Sequence, residues 1–441
     1  MLKTRTEEYA KELSKLIRYE TISVSGIENV EKFEGFKKLL METFPDIYAV
    51  CEYENYNNAF VLHWKGKDPS LKPILFMNHH DVVEAPGAWK YPPFDGVIAD
   101  GKLWGRGTLD TKGGLWAMLR AANELAKDGF VPQRDIYFES ASTEETDGTG
   151  AQLVAQNFKK RGLHFEMVLD EGGMIMYDPI GGSTGTFAVV GLAEKGCADL
   201  KFVARSKGGH ASTPGKNTPL VRLGKFMAAA DKSHIFRSKI SHVIKEMFKR
   251  LAPTMKGALK IVFGHPTFFA PLLKIAIPMM SDTGGAMLRT TLAFTMAGGS
   301  DGYNVLPQEA YVTGNMRYSH HQGGSASIKA ITKLAKKYKV DTYVMDPGFD
   351  SGVTECDTAA FKMVENAVSA VFEDVITLPY IMTGASDCRF FTDLSDGCLR
   401  FAPFYIDELQ LKSIHGINEN VNLSSLAPAV DIYKHLMTEE Q

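Results

Sequence analysis

Two adjacent glutamates, Glu144 and Glu145, stand in Ser142-Thr143-Glu144-Glu145-Thr146-Asp147-Gly148, shortly after the apolar run Ile136-Tyr137-Phe138. Such pairs are common on solvated helices, so this one gains meaning only from four other segments. These are His79-His80-Asp81-Val82-Val83, Gly105-Arg106-Gly107-Thr108-Leu109-Asp110-Thr111-Lys112-Gly113-Gly114, Leu169-Asp170-Glu171-Gly172-Gly173 and His415-Gly416-Ile417-Asn418-Glu419. Imidazole and carboxylate are ligands of zinc, and a catalytic zinc site keeps one position open for water. Two such ions need about five protein ligands. His79, Asp110, Glu145, Asp170 and His415 meet that count. Their three carboxylates nearly offset two divalent cations, and the residual positive charge favours bound hydroxide. One glutamate of the pair would hold a metal while its neighbour moves a proton. Taken singly, each residue has a structural explanation: Asp110 suits a helix N-terminus, and His79 with Asp81 makes a polar pair at a strand end. Residues i and i+2 of a strand project to the same side, so Asp81 can orient His79 while His80 faces away.

The elements that must position these residues alternate along the chain. Ile74 to Met77 is a short apolar run that reads as a buried strand, followed by a helix from Leu115 to Lys127 with Gly129 at its C-terminal cap. A strand from Ile136 to Ala141, a helix from Ala151 to Lys160 and a strand from Met167 to Leu169 come next. The fold class expected is α/β, a mixed sheet covered by helices, with the candidate residues at strand ends where ligands gather in open sheets. Near Glu194-Lys195-Gly196 the pattern changes. Strands near Ala198 to Ala204, Thr290 to Met296, Ala310 to Met316 and Thr342 to Met345, with helices from Leu220 to Ala230 and Ser327 to Lys337, describe an inserted α+β unit. The domains expected are therefore a discontinuous catalytic domain, residues 1–194 and 347–441, and an inserted lid, residues 195–346. Residues 234–287, rich in Phe, Leu, Met and Ile, read as extra helices packed on the lid, or more sharply as an apolar wall for a side chain or acyl group.

Composition narrows the function classes. At 441 residues the chain exceeds the usual single core, and two domains are expected. A net charge of −3 gives no reason to expect nucleic acid or an anionic membrane as partner. The five cysteines are odd in number and form no C-x-x-C pair, which argues against a disulfide framework. Thr4 to Ile17 reads as an amphipathic surface helix rather than a secretory signal, and the apolar run Phe268 to Met280 is too short to cross a bilayer. A cytoplasmic protein is expected.

The ordered set of five segments resembles the di-zinc metallopeptidase family 20, the family of carboxypeptidase S, aminoacylase, carboxypeptidase G and bacterial dipeptidases. The resemblance runs from Tyr19-Glu20-Thr21-Ile22-Ser23 to His415. Gly208-Gly209-His210-Ala211-Ser212-Thr213-Pro214, Arg289-Thr290-Thr291 and Asn304-Val305-Leu306-Pro307 are closest to its carboxypeptidase S and N-acyl-amino-acid hydrolase branch. It implies two zinc ions, with cobalt or manganese as other options: His79 and Asp170 on one, Glu145 and His415 on the other, Asp110 bridging. Some members use glutamate at the Asp170 place, which makes Glu171 the alternative. It further implies Glu144 as general base, Asp81 as support for His79, and a cis peptide at Asp110-Thr111. In the lid it implies His210 as oxyanion stabiliser, often given by a partner subunit, Arg317 gripping a substrate carboxylate and Asn304 supporting it. The activity implied is hydrolysis of an amide in a small peptide, of carboxypeptidase or dipeptidase type. An N-acyl-amino-acid amidohydrolase is the alternative, and an inactive metal-binding regulatory protein the remoter one. A homodimer paired through the lid is also implied.

Overall fold

A computed structural model describes residues 2–26 and 30–439. Its centre is an eight-stranded mixed sheet. From one edge the strands run Glu52–Asn55, Ala59–Trp64, Ile136–Ala141, Ile74–Met77, Met167–Tyr177, Cys398–Ile406, Thr186–Glu194 and Val375–Met382. Ala59–Trp64, Ile74–Met77 and Ile136–Ala141 are buried along their whole length, which is why they are largely apolar rather than alternating, with His63, Glu139 and Ser140 as buried polar exceptions. The pleat divides their side chains between two cores. Ile74 and Phe76 join the core beneath helices Leu2–Arg18, Lys112–Lys127 and Leu423–Thr438, whereas Leu75 and Met77 pack with Val154 and Phe158 of helix Thr149–Arg161 on the other face.

A second sheet holds four antiparallel strands in the order Thr291–Gly298, Glu309–Tyr318, Gly196–Arg205 and Asp341–Phe349. Helices Pro219–Lys232 and Gly323–Lys337 cover one face, where Leu200, Phe202, Phe226, Val312 and Ile331 form a separate core. The four strands and two helices expected in this stretch are present. The last strand continues through Pro347 to Phe349, beyond the point where the sequence pattern changes.

Residues 234–287 depart from expectation. Helix His242–Leu251 packs on the edge strand Val375–Met382 of the large sheet, and Val243, Ile244, Met247, Phe248 and Leu251 belong to the large-sheet core rather than to the lid core. Arg250 fastens this helix by donating from Nη1 to the Thr377 carbonyl at 2.9 Å. The physical reason is the bare edge: a sheet edge is covered where an apolar stripe at helical spacing can reach it.

A three-stranded ribbon, Val97–Ala99, Lys102–Trp104 and Asn420–Asn422, joins the loop before helix Lys112–Lys127 to the C-terminal segment. The start of that helix approaches the strand end at Asn78 closely. A Cβ on Gly114 would lie 2.1 Å from Asn78 Oδ1, so only glycine fits there.

Candidate metal centre

His79 to Asp81 follow strand Ile74–Met77, and Glu144 and Glu145 follow strand Ile136–Ala141. The two strands are parallel neighbours, so their carboxyl ends open at one place. Asp110 arrives from the loop before helix Lys112–Lys127, on the expected cis peptide to Thr111. His415 comes from a turn after helix Glu408–Ser413. Its backbone is left-handed, φ 58°, a conformation uncommon for a residue with a side chain and frequent at functional sites.

Asp110 lies at the centre. Its Oδ1 is 3.1 Å from His79 Nε2, and its Oδ2 is 3.0 Å from His415 Nε2. His415 Nε2 is also 3.1 Å from Glu145 Oε2. One ligand atom each from His79, Asp110 and Glu145 falls within a 4.8 Å grouping. Glu145 Oε1 is buried without a hydrogen-bond partner, an orphaned acceptor that a cation would satisfy. Hydrogen bonds to Asp110 and Glu145 raise His415 to about 10. Burial opposes protonation of His79, but Asp110 and Asp81 hold it well above its ordinary value. The nitrogen and oxygen donor set fits divalent transition metals.

Around this group the packing fixes geometry. His79 Nδ1 lies 3.0 Å from the Asp81 carbonyl and 3.3 Å from Asp81 Oδ1. The Asp81 carboxylate also accepts from the backbone N–H of Glu144 at 3.3 Å and of Glu145 at 3.1 Å, and from Ser23 Oγ at 2.7 Å. One buried carboxylate thereby ties the ring of His79 to the backbone of the glutamate pair. His80 points away, bonded to Ser140 Oγ at 2.9 Å and stacked on Phe36. Glu144 Oε2 is 3.9 Å from His79 Nε2. Burial, with Glu145 and Asp110 adding to it against the pull of His79, pushes the Glu144 carboxyl up to about 8.

Asp170 is buried on strand Met167–Tyr177. Its Oδ1 accepts from Glu171 N–H at 2.8 Å and its Oδ2 from Cys388 N–H at 2.7 Å, which orients the carboxylate and leaves a lone pair on each oxygen. Both acids feel the charges of the site: burial raises Asp170 while the backbone N–H groups and His79 oppose it. Burial first, then Asp110, Asp170 and Glu144, raise the Glu171 carboxyl well above the usual range.

The lid residues are not in contact with the metal group. His210 is exposed on the short strand Gly209–His210, which pairs with Val305–Leu306, and its Nδ1 meets Ser212 Oγ at 2.7 Å. This ribbon places Asn304 beside it, the Asn304 carbonyl accepting from Ala211 N–H at 2.9 Å. Arg317 donates from Nε to Asn315 Oδ1 at 3.0 Å. Burial, with the charges of Arg317 and Arg289 nearby, lowers Lys195 to about 7, so these three side chains form a cationic cluster.

Two contributors escape sequence reasoning. Arg389 lies 3.8 Å from Glu144 Oε1 and stacks on Phe349 and Phe390. Nothing in Asp387-Cys388-Arg389 signals that placement. Glu419 is fully buried and accepts from Arg106 Nη1 at 2.7 Å and from the backbone N–H of Gly107, Leu109 and Asp110 at 3.1, 2.8 and 3.1 Å. Its only sequence signal is its position in the His415 segment.

The sequence matches the profile of peptidase family M20/M25/M40 over residues 75–439. The chain belongs to this family. The human N-fatty-acyl-amino acid synthase/hydrolase PM20D1 is 30% identical over 419 residues, covering 93% of this chain and 83% of that protein. A probable carboxypeptidase S-like 2 of Dictyostelium discoideum is 30% identical, covering 98% of this chain and 84% of that protein. The fold also matches the M20 family metallo-carboxypeptidase Sso-CP2 of Sulfolobus solfataricus, with a TM-score of 0.68, 17% identity and 98% of both chains covered. The protein is thus a hydrolase of the metallopeptidase class that cuts amide bonds, on the mixed α/β fold expected. Among the described residues no helix is long and apolar enough to cross a membrane.

Proposed function

We propose that this chain cleaves the amide bond of small peptides bearing a free carboxylate, in the manner of a carboxypeptidase or dipeptidase, with two zinc ions at the Asp110 centre. The observation that carries this reading is the pair of Asp110 oxygens, one facing His79 and the other His415, beside a buried Glu144 held up to about 8. His79 would serve one ion and His415 with Glu145 the other. Asp170 would take the fifth place beside His79, each of its oxygens keeping a lone pair free beyond the one backbone donor it accepts from, with Glu171 as the alternative. Two divalent cations, when bound, supply Lewis-acid polarisation of a carbonyl and lower the pKa of water. Glu144 accepts the proton of the attacking water and returns it to the leaving nitrogen, a task for which a carboxyl raised by burial is suited. Asp81 holds His79 in one orientation. In the lid, Arg317 receives the substrate carboxylate with the fork of its guanidinium, Asn304 supports it, and His210 stabilises the oxyanion. His210 is exposed and has no contact with the metal group of its own chain, which favours a homodimer in which each lid serves its partner. The five cysteines are all free, in keeping with a cytoplasmic protein.

One observation favours hydrolysis of N-acyl amino acids as a second reading. Residues 244–288 with the loop at Ile180 enclose an apolar cavity of about 240 Å³, lined by Met247, Phe248, Phe263 and Ile277 among others. A panel of dipeptides and N-acyl amino acids of graded chain length, run on metal-replete protein, separates the two. Faster turnover of dipeptides supports the first reading, and a steep rise with acyl length supports the second. In either case Arg317→Ala raises KM chiefly for substrates with a free carboxylate. An equal loss on the amidated analogue removes Arg317 from that role.

A further inference from the structure

The outer face of residues 256–281 is built unlike the rest of the surface. Helices Ala258–Gly264 and Ala270–Met280 flank Phe268, and between them Ile261, Phe268, Ile275, Met279 and Met280 are exposed, Met279 by 81% and Phe268 by 79%. Leu273 is the only buried residue of the longer helix. A contiguous apolar patch of this kind marks a surface that meets something other than water. Its charge is one-sided. From Met247 to Ser281 the chain has no carboxylate and carries Lys249, Arg250, Lys256, Lys260 and Lys274. Arg250 pairs with Glu246 and Glu365, and Lys249 with Glu246. Lys256, Lys260 and Lys274 form no ion pair or hydrogen bond among the described residues.

Apolar side chains interleaved with unpaired lysines, on a helix of 11 residues, describe an element that lies in a lipid headgroup layer rather than across a bilayer. A second copy of the chain fits this face poorly, because a two-fold pairing sets the same patch against itself and opposes lysine to lysine. The apolar cavity lies directly beneath. Leu259, Leu272 and Met280 line it and are exposed at the face, so it opens where the patch would meet lipid. The net charge of −3 is a sum over the whole chain and does not describe this local basic face, and the absence of a spanning helix among the described residues does not bear on peripheral docking.

We propose that residues 256–281 dock the protein on anionic lipid surfaces, with the cavity opening onto the acyl-chain region. The inference does not depend on which amide is cut: docking is read by binding, hydrolysis by turnover.

The test is flotation of the metal-replete full chain with vesicles of phosphatidylcholine alone and of phosphatidylcholine and phosphatidylglycerol in equal parts. Three lysines near an anionic surface predict binding at least about tenfold tighter to the anionic vesicles. The combined variant Phe268→Ser, Ile275→Ser, Met279→Ser should lose flotation, and Lys256→Glu, Lys260→Glu, Lys274→Glu should lose the anionic preference. All six residues are exposed, so both variants should keep the parent circular dichroism. Failure of the parent to float with either vesicle, or flotation unchanged in both variants, overturns the proposal. So does a concentration-dependent dimer in sedimentation velocity that the serine variant abolishes, since it assigns the face to a second copy.

Discussion

Glu419 offers the sharpest test of how the site is held. The perturbation is Glu419→Gln, which keeps shape and volume but exchanges one carboxylate oxygen for an amide NH2. In the structure four donors converge on the two oxygens and no acceptor lies among them: Arg106 Nη1 at 2.7 Å, and the backbone N–H of Gly107, Leu109 and Asp110. Whichever way the amide turns, its NH2 faces donors, so two of these hydrogen bonds are lost together. Arg106, 1% exposed, keeps its charge without its partner. Breaking a buried pair by removing one member costs about 3–5 kcal/mol. The loss falls on the loop that carries Asp110, so metal affinity should drop along with stability. Urea denaturation of metal-free protein measures the first effect, and metal content after dialysis against a weak chelator measures the second. A destabilisation under about 1 kcal/mol, with metal content unchanged, would refute the view that Glu419 anchors the bridging loop.

Two further outcomes follow from the geometry. Asp170→Asn should release one metal equivalent and loosen the segment around Cys388, whose N–H it accepts, whereas Glu171→Gln should leave the metal content unchanged. Metal analysis and thermal melts of the two variants compare them, and the reverse pattern makes Glu171 the ligand. Metal affinity should fall as pH is lowered. His415 in the metal-free site is held up to about 10 and His79 well above its ordinary value, so each imidazole must release a proton before it can coordinate. Affinity should therefore fall by up to about tenfold per pH unit for each proton displaced. Calorimetry in buffers of different ionisation enthalpy counts those protons, and a count of zero contradicts the assignment.

Much of the fold and of the site is legible in the sequence because the signals are local. Ile74–Met77 is a short apolar run two residues before His79, and Ile136-Tyr137-Phe138 opens the strand that leads to the glutamate pair, so each strand and its candidate ligand lie close together in sequence. The four-stranded inserted sheet is equally plain from its strand lengths. What escapes is set by contacts between distant parts of the chain. Asp170 and Glu171 are adjacent acids on one strand, and nothing local shows that Asp170 is oriented by the N–H of Cys388, 218 residues away. Arg389 reaches Glu144 through a short helical turn with no periodic signature. The stripe of Val243, Ile244, Met247, Phe248 and Leu251 announces an amphipathic helix, but nothing in it says which of two sheets it will cover.

The central claim is that Glu144 moves the proton while its neighbours hold the metals. Glu144→Gln tests it directly, because the amide preserves the packing and leaves His79, Asp110, Glu145 and His415 in place. The variant, assayed on the best substrate of the panel with its metal content measured in parallel, should retain the parent metal content and lose about 10²–10⁴-fold in kcat, the contribution of a positioned general base. Full activity at full metal occupancy would contradict the account.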